Sequence, residues 1–182
     1  MNSFKSRKGF SYEYFSTSST WVIWGPVFGL VFSIAMLIIG RVNAEMILND
    51  YPPDIREKFG PMSEKTRTQA NLASLPLLFA LGLVLVLGLG QLRTTTGELT
   101  FLNTLIVTTM IFQVWNLLDL VLLDWLLLMT LKPRFMILPG TEGMAGYSDY
   151  KFHFRKFLNG IVFTFILSGI VTAIALGVEA VI

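Results

Sequence analysis

Four apolar runs, each long enough to cross a lipid bilayer, decide what this chain can fold into: residues 20–42, 70–92, 101–131 and 157–182. The hydrocarbon core is about 30 Å thick and a helix rises about 1.5 Å per residue, so a crossing takes roughly 20 apolar residues. Backbone groups find no water in lipid and must be satisfied within their own segment, which selects helices over open strands. The expected fold is all-α: a polytopic membrane protein with a four-transmembrane-helix bundle, one integral membrane domain over residues 1–182. The third run exceeds a perpendicular crossing and is expected to tilt or to project beyond the bilayer.

Composition narrows the function. The chain is 53% hydrophobic and only 14% charged, well off the soluble average. Its net charge of +2 comes without a long basic block, so membrane lipids are expected partners and nucleic acid is not. The lack of cysteine excludes disulfides, thiolate metal sites, iron–sulfur clusters and cysteine nucleophiles. One histidine, His153, cannot build a histidine-rich iron site or a bis-histidine haem within one chain. No cofactor and no metal are expected. Asn116, Asp119 and Asp124 do not reproduce the paired aspartate motifs of prenyl or phosphoalcohol transferases, and with no evident nucleophile the reading leans away from an enzyme.

Residues 1–19 carry Lys5, Arg7 and Lys8 and then a polar, aromatic stretch, which suits a retained segment lying along the headgroups. In the first connection, Tyr51-Pro52-Pro53-Asp54 starts a short interfacial helix that Gly60-Pro61 ends, and Ser63 is placed to cap the lead-in to the second span. The short turn at 93–100 makes the second and third spans antiparallel neighbours. Residues 132–156, with Pro133, Pro139-Gly140, Gly143 and Gly146, form an ordered loop between the third and fourth spans. Small residues let helices approach in lipid; Gly25, Gly29 and Ser33 mark such a face on the first span. The fourth span offers two, one through Gly160, Thr164, Ser168 and Thr172 and another through Gly169, Ala173 and Gly177.

Orientation follows from Lys and Arg. Ten fall on the side of the first and third connections, from Arg41 to Lys156, against Lys5, Arg7, Lys8 and Arg93 on the side of the termini. That bias predicts cytoplasmic long loops and extracytoplasmic termini.

The residues that point to chemistry lie in the third span, where Gln113, Asn116, Asp119 and Asp124 interrupt a leucine-rich run. Carboxylates in lipid are costly and mark ion pathways, proton relays or ligand sites. At 100° per residue Gln113, Asn116 and Asp124 share a stripe with Thr109, while Asp119 lies about 140° from Asp124, so each needs its own partner. Arg41 is the candidate counter-ion of Asp124, with Lys132 a second, and Arg41 and Glu45 at i, i+4 form a helix-end pair in the plainer reading. Glu142, Asp149 and His153 are further candidates on the loop side, although their spacing matches no standard metal motif.

Three functions compete. The first is a transport or channel-like protein with an intramembrane carboxylate site for a proton, cation or cationic solute, which at this size would work as a homo-oligomer. The second is a non-catalytic accessory subunit of a larger membrane complex. The third is a lipid-modifying enzyme using Asp124, Glu142 or His153 at the headgroup layer.

Overall fold

The computed structural model describes residues 2–181, with side chains described from Thr17 onward; the expectation for the basic and aromatic side chains of residues 1–16 lies outside that range. Helix α1 (Asn2–Val42) leads through a distorted 3₁₀ stretch (Ala44–Asp50) to the short α2 (Pro53–Phe59). Helix α3 (Glu64–Thr96) and α4 (Phe101–Leu118) follow, and α4 continues as a π-helix (Asp119–Leu131). Two 3₁₀ turns (Arg134–Met136 and Ala145–Ser148) lie in the last connection before α5 (Tyr150–Glu179). Four segments are long and apolar enough to cross a membrane: Thr17–Val42, Glu64–Thr96, Phe101–Leu131 and Tyr150–Glu179. The architecture is the expected all-helical bundle, with a row of large apolar side chains such as Val22, Leu78, Phe79, Val86, Val162 and Ile166 left exposed on its outside.

Local signals set the helix ends. Ser63 caps α3 by accepting from Thr66 N–H, and Thr100 with Asn103 forms a reciprocal capping box at α4. Lys132 stops the π-helix in a left-handed conformation, φ 44°, which costs a non-glycine residue about 1–2 kcal/mol. Its Nζ donates to Ser148 Oγ at 2.6 Å, tying the helix end to the following loop.

Helix α1 is the centre of the packing, in contact with both α3 and α4, while α5 packs on α4. The approach to α4 uses Gly25 and Gly29, where an added Cβ would meet Val114 at 3.0 Å and Leu118 at 2.6 Å; on α3, Gly88 admits Trp24. This corrects one expectation. Helices α3 and α4 run antiparallel but touch little, because α1 presents glycines to one and a tryptophan to the other and takes the place between them. Of the two small-residue stripes on α5, the first is buried against α4 through Thr164, Ser168 and Thr172. The second is open, with nothing within 4 Å of a Cβ built at Gly169 or Gly177.

The first and last connections fold together into an apolar cap over the loop end of the bundle. Its core is Ala44, Leu48, Tyr51 and Ile55 from the first connection, Leu128 and Met129 from the π-helix, and Met136, Leu138 and Tyr147 from the last. Ile55, within the short helix expected at the interface, is fully buried here. Tyr51 Oη donates to Met136 O at 2.7 Å, and burial, reinforced by Tyr147 and Asp50, pushes its phenol above the ordinary value of 10.0, so it remains a donor at neutral pH. Asp54 accepts from Gly146 N–H at 3.0 Å, an approach that leaves no room for a side chain at Gly146. Glu45 accepts from Ser63 N–H at 2.6 Å and Thr66 Oγ1 at 2.8 Å. The Ser63 backbone bond, helped by the Thr66 hydroxyl, holds its carboxyl below the ordinary 4.5 against the opposing effect of burial.

Candidate functional site

Beneath the cap lies a cavity of about 220 Å³, bounded by α1 through Phe32 and Met36, by Ile47 and Asp50 of the first connection, and by Met136 of the last. Its far wall is the α4 and π-helix surface carrying Trp115, Asp119, Leu123 and Asp124, and α5 contributes Lys156. Gly40 lets the lid close, since a Cβ there would meet Met136 Cε at 2.7 Å.

The π-helix decides the geometry. Its hydrogen bonds run from residue i+5 back to i, as in Lys132 N–H to Leu127 O at 2.8 Å, so residues five apart approach one line along the helix. Asp119 and Asp124 are five apart. The reading at 100° per residue set them on different faces; the wider turn brings both to the same cavity.

Each carboxylate has a different environment. Asp124 is buried and its Oδ1 lies 2.8 Å from Nδ1 of the buried His153. That nitrogen makes no hydrogen bond of good geometry, so the contact is a close approach rather than a directed N–H···O bond. Asp50 accepts from Lys156 Nζ at 2.5 Å. The Asp119 side chain has no hydrogen bond and no ion pair among the described residues, although it lines the same space as Lys156. Asp50, Asp119 and Asp124 therefore line one cavity with Lys156, and of the three only Asp119 has no ion-pair partner among the described residues.

The other candidates separate from this cluster. Gln113 Nε2 donates to Thr164 Oγ1 at 2.9 Å and Asn116 Nδ2 to Phe157 O at 3.1 Å; with the Thr108–Thr172 contact they form a polar seam that holds α4 to α5. Arg41 is exposed and far from the role of counter-ion to Asp124: its guanidinium sits 5.5 Å from the centre of the Phe135 ring. Nor does it pair with Glu45, which bonds Ser63 and Thr66 instead, and Lys132 bonds Ser148 rather than Asp124. Glu142 accepts from Gly140 N–H and Asp149 caps α5 at Phe152 N–H, so both serve their own turns. Among the described residues no three His, Asp or Glu side chains gather as metal ligands.

Sequence reading missed Asp50, Lys156 and Trp115. Lys156 had one usable signal, its i, i+3 spacing from His153, which puts both on one face of α5. Trp115 is likewise four residues before Asp119. Asp50 pairs across 106 positions of sequence, and nothing local announces that partner.

Fold and composition together define a multi-pass integral membrane protein with four candidate spans. No model of a known protein family, no curated protein and no solved structure matches the chain.

Proposed function

We propose that this protein binds and conducts a proton or a cationic species through the cavity beneath its cap, with Asp119 as the group that receives it. The observation that supports this most is the unpaired carboxyl group of Asp119 in a candidate membrane span, on a cavity that it shares with Asp50, Asp124 and Lys156. An ionised carboxylate in lipid is costly, and a bound proton or cation relieves that cost. Asp50 and Asp124 already have Lys156 and His153, and Asp119 has none. By the Lys and Arg bias the capped end faces the cytoplasm and the termini face outward.

The test is flux through proteoliposomes holding the purified protein, with a pH-sensitive dye and an imposed cation gradient. Wild type accelerates dissipation of the gradient, and Asp119→Asn, verified as folded by circular dichroism, reduces the rate to that of empty vesicles. Equal flux through wild type and Asp119→Asn removes the proposed role.

A second reading, an assembly partner, draws support from the open Gly169 and Gly177 stripe and from an apolar groove of about 390 Å³ between α3 and α5. Native mass spectrometry of gently solubilised protein separates the cases. A second polypeptide retained by wild type and lost on Gly169→Leu marks an accessory subunit, and pairing of identical chains marks a homo-oligomer.

A further inference from the structure

The proposed cation site admits ions of very different chemistry, and the cavity walls discriminate among them. Hard metal cations take six or more oxygen ligands in a shaped shell, whereas here no three acidic or imidazole side chains gather around one point among the described residues. The remaining walls are largely apolar, including Phe32, Met36 and Leu123. A volume of about 220 Å³ corresponds to several times the roughly 30 Å³ that one water occupies in the liquid. There is room for a carbon skeleton of a few atoms.

Next to the free carboxylate stands an aromatic wall. Trp115, one helical turn before Asp119, meets the Phe32 ring edge-on with centroids 5.1 Å apart, and both rings line the cavity. The indole N–H of Trp115 is buried without an acceptor. Carboxylate plus aromatic surface is the combination that recognises organic ammonium ions, because the charge is neutralised on one side while the polarised C–H and N–H groups meet the π-cloud on the other. Lys156 lines the same cavity. Held on Asp50 at 2.5 Å, it supplies the cation on that side of the cavity and leaves Asp119 for the cation of a ligand.

We infer that the ligand of this cavity is a small organic ammonium ion, held by Asp119 against the Trp115 and Phe32 wall. This rests on the cation-site reading above and narrows it to one chemical class.

Calorimetric titration of the purified full chain in lipid nanodiscs tests it, using n-butylammonium chloride, with n-butanol and sodium chloride as comparison probes. Wild type binds n-butylammonium and not n-butanol. Asp119→Asn weakens binding at least tenfold, and Trp115→Leu weakens it by about five- to thirtyfold while Trp115→Phe stays within about threefold of wild type. The wild-type titration decides independently of how well the variants fold. Absence of n-butylammonium binding, or equal binding of n-butanol, overturns the inference. Asp119-dependent binding of sodium alone overturns it too but leaves the cation site standing, whereas Asp119-independent flux in the vesicle assay removes that site itself.

Discussion

The Asp124–His153 contact allows a worked prediction. Both side chains are nearly sealed, at 7% and 2% exposure, and Asp124 Oδ1 lies 2.8 Å from His153 Nδ1. When both groups are ionised, two unit charges at that distance attract by about 6 kcal/mol at an effective dielectric of about 20, before the cost of removing them from water. Desolvation takes back most of this, so the pair adds little net stability, yet removal of one partner leaves an uncompensated buried group at a cost of about 3–5 kcal/mol. His153→Leu is therefore expected to be severely destabilising, Asp124→Leu less so because an imidazole is free to stay neutral. The double variant Asp124→Leu with His153→Leu should recover at least about 2 kcal/mol relative to the sum of the singles. Reversible denaturation in mixed micelles, followed by circular dichroism at neutral pH, gives the three differences. A double variant whose loss equals that sum would refute the coupling and reduce the contact to incidental proximity.

Two further outcomes follow from the packing and from Glu45. Gly160→Ala places a Cβ where Asn116 Oδ1 would lie at 2.3 Å, so it should destabilise the α4–α5 seam by about 1–3 kcal/mol, while Gly82→Ala, which meets nothing within 4 Å, should be neutral or stabilising by up to about 1 kcal/mol; the same denaturation series measures both. Because the folded state holds the Glu45 carboxyl below 4.5, its contribution is present above that value and disappears as pH falls through the lower folded value. Glu45→Gln should therefore lower the melting temperature at pH 7 and differ little from wild type in strong acid, as scanning fluorimetry across pH would record.

The spans were legible because lipid imposes one simple condition, length of uninterrupted apolar sequence, and the α3 cap was legible because a serine before a helix has a local geometric role. The site was only partly so. Asp119 and Asp124 stood out as carboxylates in an apolar run, but their mutual placement depended on helical pitch, and no glycine or proline in 119–131 signals the change to π geometry. Asp50 with Lys156, like Asp54 with Gly146, joins connections far apart in sequence, and such pairings exist only once the cap has closed. Arg41 misled for the opposite reason. Its position at a helix end was read correctly, but which way a long flexible side chain turns is settled by a neighbour, here the Phe135 ring.

The central position of α1 carries a consequence for how the protein is made. The α3–α4 hairpin has a tight turn but little contact between its arms, and in lipid two apolar helices gain nothing from each other beyond close fit. Inserted alone, the hairpin would splay. Helix α1 precedes it in the chain and presents a separate docking surface to each arm, so correct placement of the arms is expected to depend on α1 rather than on each other. Damage to the glycines at its α4 face would then reduce the yield of correctly assembled protein more than it reduces the endurance of the assembled bundle.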